Sequence, residues 1–138
     1  MDEFRDATDG PAAVVTEFLT AFFSGEIDRA RSLVADDFTF RAPLVGAAAT
    51  KEAYFAGAAE KVQFVRGMRI LRQWQDGPAG EVSSVYELDV ETPAGSDSLL
   101  MGEWHRVRER LLASTVMIFD TGARAAQLLG GALAAQHA

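Results

Sequence analysis

The sequence predicts an α+β domain, with helices segregated on one face of a curved, mostly antiparallel sheet. Apolar residues near the N-terminus recur in pairs at helical spacing, whereas from Phe64 onward they alternate with a period of two. Turns bearing glycine and proline divide that second stretch into consecutive strands, and helices followed by a run of strands is an α+β order. A strongly twisted sheet wrapped around N-terminal helices makes a cone with an open end. Small ligands favour concave, mostly apolar places of that kind.

After a start expected to fray over residues 1–9, Pro11 opens the first helix, with Thr8 or Asp9 available as its cap. Val14, Val15, Phe18, Leu19, Phe22 and Phe23 form its apolar side, and Gly25 offers a left-handed stop. Ile27, Ala30, Leu33 and Val34 share one side of a second, short helix. "DFTFRAP" then alternates, with Phe38, Phe40 and Ala42 against Thr39 and Arg41, as a short strand closed by Pro43. The small residues of "LVGAAAT" read as a loop ending at Thr50, the N-cap of a third helix running to about Lys61.

"FVRGMRILRQWQ" and "EVSSVYELDVET" read as two long strands joined through "DGPAG". In the second, Val82, Ser84, Tyr86, Leu88 and Val90 share one face, while Ser83, Glu87, Asp89 and Glu91 mark the solvated one. "PAGSD" turns the chain into "SLLMGEWHRVR", and a tight bend near Glu109 and Arg110 leads to "LLASTVMIFD". The alanine- and leucine-rich tail from Thr121 is expected to be helical and to fray over residues 132–138. No linker or repeat interrupts the series, so residues 1–138 read as one domain.

With 138 residues the chain is long enough to bury a core without staples. A net charge of −7, with arginines scattered among acids, argues against a nucleic-acid partner, because phosphate binding needs a basic stripe. The absence of cysteine is compatible with a reducing compartment. The acidic start "MDEFRDATDG" has neither the basic nor the apolar region of a secretory signal. No apolar run approaches the roughly 20 residues that span a bilayer. The expected setting is cytoplasmic, with no membrane partner.

The strand "LLMGEWHRV" carries the most informative pattern. Leu99, Met101, Glu103, His105 and Val107 leave one face; Leu100 and Trp104 leave the other with Gly102, Arg106 and Arg108. The apolar majority of the first face turns it inward, taking a carboxylate and an imidazole with it. Two residues apart on a strand, their Cα atoms are separated by about 6–7 Å, so both side chains reach one ligand. His105, ordinarily titrating near 6.5, suits a general acid or base. Glu103 suits orienting the imidazole or, protonated, donating to a developing oxyanion. Tyr86, inward on the preceding strand, adds a hydrogen-bond donor. Two plainer readings stand beside this one: the pair anchors a ligand without turning it over, or it is structural, bonded internally or to Arg41.

Element order and residues together resemble the nuclear transport factor 2-like (cystatin-like) superfamily, particularly its SnoaL-like members. "FLTAFFSGEIDRARSLVADDFTFRAP", the stretch to "KEAYFAG" and "GEWHRVRERLLASTVMIFD" carry the resemblance, over nearly the whole chain. It implies the cone-shaped fold and a small hydrophobic ligand, but not one chemistry, since relatives include ketosteroid isomerases, limonene epoxide hydrolases, scytalone dehydratase and polyketide cyclases. The isomerase's base aspartate, directly before the proline that closes the first strand, falls at Ala42, and its oxyanion tyrosine on the first helix falls at Phe18. Its second acid falls at Glu103. The epoxide hydrolase's acid aspartate falls at Met117, and one cavity histidine of the dehydratase finds a counterpart in His105.

The remaining candidates have simple explanations. Asp36 and Asp37 diverge as neighbours, and Asp36 suits a helix-to-strand turn; Asp120 suits the cap of the terminal helix; His137 lies in the tail. One interior histidine, one glutamate and no cysteine do not complete a zinc site, and no phosphate-cradling glycine motif marks a cofactor. Phe18, Phe22, Phe40, Tyr54, Phe55, Leu88, Met101, Met117 and Phe119 are the expected pocket lining. In the last strand Leu111, Ala113, Met117 and Phe119 are expected on one face and Leu112, Val116 and Ile118 on the other. The outward set, with Leu100 and Trp104, predicts a homodimer. The function expected is binding of a small apolar molecule. Catalysed as an enzyme, the reaction would be cofactor-free isomerisation, dehydration or cyclisation of a small carbonyl compound by His105, Glu103 and Tyr86. The alternative is a non-catalytic ligand-binding or accessory module.

Overall fold

The computed structural model describes residues 10–42 and 45–119. The expected tail helix, the capping role of Asp120, His137 and the frayed ends fall outside them, as does the side chain of Phe119. Helices α1 (Pro11–Phe23) and α2 (Ile27–Ser32) come first, then strands β1 (Val34–Ala42) and β2 (Val45–Thr50), then helices α3 (Lys51–Phe55) and α4 (Ala58–Val62). Strands β3 (Val65–Asp76), β4 (Glu81–Thr92), β5 (Gly95–Arg108) and β6 (Leu111–Phe119) complete the order. The six strands form one sheet in the order β2-β1-β6-β5-β4-β3. All neighbours are antiparallel except β1 and β6, which run parallel. This is the predicted α+β sheet with its helices on one face.

Four local expectations change. The cap of α1 is Gly10 rather than Thr8 or Asp9, with Pro11 at the first helical position. Val34 opens β1 instead of closing α2, and Asp36, two residues on, is an exposed strand residue 3.3 Å from Lys51 Nζ. "LVGAAAT" is not all loop: residues from Val45 make the edge strand β2, whose alanines and glycine hide any period of two. The third helix divides at Gly57, where the backbone turns left-handed at φ 71°.

Thr50 does cap α3, its hydroxyl accepting from Ala53 N at 3.2 Å. The tight bend between β5 and β6 sits where expected, with Glu109 and Arg110 at φ 52° and 64°, a two-residue turn of the kind that suits hairpin twist. Between β3 and β4 the chain turns at Gly80 (φ 69°), whose carbonyl accepts from Val107 N at 2.7 Å and so ties that turn to β5.

The core lies between α1 and the inner face of the sheet. Val15, Phe18, Leu19 and Phe22 pack against Phe38 of β1, Val82, Tyr86, Leu88 and Val90 of β4, and Leu99 and Met101 of β5. Full burial of an aliphatic side chain such as Leu99 stabilises the fold by about 1.5–3 kcal/mol. Polar bonds fix the angle of α1: Gln75 Oε1 accepts from Ala12 N at 2.9 Å, and Gln73 Oε1 accepts from Thr16 Oγ1 at 3.0 Å. No helix among the described residues is long and apolar enough to cross a membrane.

Register decides which residues of β5 and β6 face in. The predicted inward face of β5 is observed: Leu99, Met101, Glu103 and His105 are buried while Leu100 and Trp104 are exposed. Leu112, expected outside, is fully buried. The register of β6 shifts where Arg106 pairs Ser114 but Val107 pairs Leu112, so Ala113 is an extra residue and Leu112 turns inward with Val107.

Candidate active site

Glu103 and His105 occupy the middle of the inner sheet face, in β5 between β4 and β6. Their cross-strand neighbours are Ser84 and Val82 on β4 and Met117 and Thr115 on β6. Glu103 is 4% exposed and His105 0%. A buried polar group is costly without a partner, so the bonds they make define the site.

His105 Nδ1 shares a hydrogen with Thr115 Oγ1 at 3.0 Å. Its Nε2 is buried, points towards Glu103 Oε1 at 3.7 Å, and has no hydrogen-bond partner among the described residues. Burial pulls the imidazole down to about 3, so it is neutral at ordinary pH. Burial thus carries His105 well below the ordinary imidazole value of about 6.5.

Burial acts on Glu103 in the opposite direction. It pushes the carboxyl up to about 7, partly offset by the hydrogen bond from the Tyr86 hydroxyl. Tyr86 is held above its ordinary range by burial first and by the charge of Glu103 second, and so is Tyr54. Both phenols thus remain protonated donors beside the carboxyl. Tyr54, from α3, is ringed by Phe18, Phe22, Phe38, Phe40 and Phe55, with centroids 4.8–6.3 Å away.

The structure brings Glu103, His105 and Tyr86 together, with Tyr54 and Thr115 around them. Among the other expected lining residues, Phe18, Phe22, Phe55, Leu88 and Met101 are buried in the core, and Phe40, Tyr54 and Met117 pack partly buried against it. Arg41 is exposed and does not pair with Glu103. Ala42 and Phe18 offer no acid or hydroxyl.

Thr115 was missed by sequence reasoning, although alternation from Met117 places it inward. Ser84 was recognised as inward; its hydroxyl accepts from Gln73 Nε2 at 3.1 Å and is thereby engaged. Surface hollows among the described residues lie elsewhere. One of about 490 Å³ is bounded by Phe23, Val62 and Met68. Another, about 570 Å³, lies between the start of α1 and the Glu109–Arg110 turn.

No known family profile matches the sequence, and no curated protein matches it. Solved structures do. PrhC from Penicillium brasilianum superposes with a TM-score of 0.77 at 13% identity, covering 92% of this chain and 89% of its own. A steroid delta-isomerase from Pseudomonas aeruginosa gives 0.71 at 13% identity, covering 92% and 90%. An NTF2-like protein of unknown function from Cytophaga hutchinsonii gives 0.62 at 14%, covering 79% and 88%. The chain has the nuclear transport factor 2-like fold.

Proposed function

We propose that Glu103, His105 and Tyr86 form the polar anchor of a site for a small, uncharged, mostly apolar molecule bearing a carbonyl or hydroxyl group. The observation that carries this reading is the fully buried Nε2 of His105, beside the Glu103 carboxyl and without a hydrogen-bond partner among the described residues. A buried orphan of this kind costs about 1–3 kcal/mol, which a ligand atom bonded there recovers. The surroundings select against charge: the imidazole is neutral, the carboxyl holds its proton up to about 7, and nearby Tyr54 is ringed by phenylalanines.

The chemistry this arrangement supports is general acid–base catalysis, which requires no cofactor. Glu103, with a pKa at the working pH, is the group that gives or takes the proton. Neutral His105 offers its Nε2 lone pair, and Tyr86 donates to Glu103. Isomerisation, dehydration or cyclisation of a small carbonyl compound can use such a pair. The roles differ from those expected of the sequence, since His105 is the poorer titrating group.

A second reading, non-catalytic binding, is favoured by a specific observation. Where the resemblance puts a base and an oxyanion donor, the chain has the methyl of Ala42 and the buried phenyl of Phe18. Calorimetry and turnover assays with a panel of neutral cyclic enones and phenols separate the two. Binding lost in Glu103→Leu supports the site. Turnover lost in Glu103→Gln with binding kept supports catalysis, and binding with no turnover of any panel member supports the module.

The assembly reading is a homodimer. Trp74, Ser83, Trp104 and Val116 form a row across the outer sheet face, with Trp74 56% and Trp104 39% exposed. Leu100 and Ile118 extend the apolar area. A second copy across a two-fold axis covers it, with Arg106, paired to Glu81 at 3.0 Å, at the polar margin. The acidic, cysteine-free composition fits a cytoplasmic setting.

A further inference from the structure

We propose that Thr115 is a positioning residue for this site: it holds the His105 ring by Nδ1 and, by reversing its hydrogen bond, lets Nε2 change from acceptor to donor as Glu103 changes from acid to carboxylate. The inference rests on the reading of Glu103 and His105 as a ligand site.

The geometry is a row of three side chains. Glu103 and His105 stand two apart on β5, and Thr115 faces His105 across the β5–β6 pair. The contacts are 3.7 Å from Glu103 Oε1 to Nε2 and 3.0 Å from Nδ1 to Thr115 Oγ1. A neutral imidazole has one donor and one acceptor nitrogen, whereas a hydroxyl can be either. When Glu103 is an acid, its O–H is directed at the Nε2 lone pair and Nδ1–H donates to Thr115. When Glu103 is a carboxylate, Nε2–H is directed at it and the Thr115 hydroxyl donates to Nδ1. One proton leaves the row between these states, the negative charge rests on Glu103, and the imidazole stays neutral in both.

The neighbours leave this exchange to Glu103. From β4 come Tyr86, Ser84 and Val82, from β6 Met117, and from α3 Tyr54; α1 contributes Phe18 and Phe22 to the core. Both phenols titrate well above their ordinary range, and the other side chains do not titrate. For a bound molecule the consequence is a paired change of polarity: a base beside an acid becomes a donor beside a carboxylate. A hydroxy or enolisable carbonyl group, itself donor and acceptor, meets a matching partner in either state.

Nitrogen-15 NMR of the imidazole tests this without a ligand, in the full chain carrying His137→Gln, over about pH 5 to 9. The expected result is Nδ1–H at the acid end and Nε2–H at the basic end, with a midpoint of about 7 and no imidazolium. Glu103→Gln should hold one tautomer throughout. Thr115→Val should leave both nitrogens with averaged shifts and no clean change, and Thr115→Ser should restore it. A single tautomer in the parent, an imidazolium signal, a pH-driven change surviving in Glu103→Gln, or a Thr115→Val profile matching the parent each overturns the proposal. A clean tautomer change in a chain that binds none of the neutral probes would sink the proposed function and Thr115's service to a ligand, and leave only the coupled exchange of Glu103, His105 and Thr115 standing.

Discussion

His105 Nε2 stands 3.7 Å from Glu103 Oε1, with both side chains sealed inside the sheet's inner face. Burial moves their proton affinities in opposite directions, so that the carboxyl is the stronger proton holder of the two. This inverts the order the two groups have in water, where the imidazole binds its proton more tightly.

The inversion predicts an unusual dependence of stability on pH. Between about 4.5 and 6.5, the folded chain keeps a proton on Glu103 that the unfolded chain releases. Over the same window the unfolded chain holds a proton on His105 that the folded chain excludes. The numbers of bound protons match, so the pair contributes a level stretch. Below it, the His105 effect makes stability fall as pH falls towards about 3. Above it, as pH rises towards about 7, the Glu103 effect makes stability fall. Glu103→Gln leaves only the histidine, and stability should then rise across the window by about 3 kcal/mol relative to the parent. Denaturant unfolding at a series of pH values measures this; equal slopes for parent and variant would disprove it.

Tyr86→Phe removes the hydroxyl that donates to Glu103 but keeps the ring in the core. Because that bond favours the carboxylate, its loss should raise the Glu103 pKa above about 7. Carbon-13 NMR of the carboxyl reads the change. An unaltered or lowered value would show that Tyr86 does not bond the carboxyl.

Two left-handed glycines should respond unequally to alanine. At Gly25, φ 88°, a new Cβ meets nothing within 4 Å, so the cost is backbone strain alone, about 1 kcal/mol. At Gly80, φ 69°, the Cβ comes within 2.3 Å of the Val107 carbonyl oxygen, and that backbone cannot yield without opening the turn from β5. Gly80→Ala should cost at least about 2 kcal/mol more than Gly25→Ala in equilibrium unfolding. Equal costs would contradict the close approach.

The paired substitution Trp74→Glu and Trp104→Glu places charge in the exposed outer row without touching the core. Sedimentation at micromolar concentration should show a dimer for the parent and a monomer for the double variant, with little change in the monomer's helix and strand content. A parent chain that sediments as a monomer ends the dimer reading.

Much of the fold was legible because its signals were local. Alternation from Val82 to Val90 and from Leu99 to His105 named the inward faces, and Thr50 named its helix. The failures arise where the determining interaction is non-local or the pattern is silent. β2 is an alanine-rich edge whose strand character comes from pairing with β1. Leu112 turned inward because of one extra residue in β6, which alternation cannot anticipate. In the site, the pair Glu103–His105 was visible as charge on an oily face. Its proton affinities were not, because they depend on how completely α1, α3 and the neighbouring strands exclude water. Thr115 became significant only once β6 was placed beside His105.

The central claim is that Glu103 and His105 anchor a small uncharged ligand, and imidazole nitrogen-15 shifts followed during titration with the panel of neutral enones and phenols test it most directly. The account predicts that at least one probe binds saturably and moves the Nε2 resonance of His105, more weakly in Glu103→Leu. Saturable binding that leaves both imidazole nitrogens unmoved would place the ligand elsewhere and contradict the account.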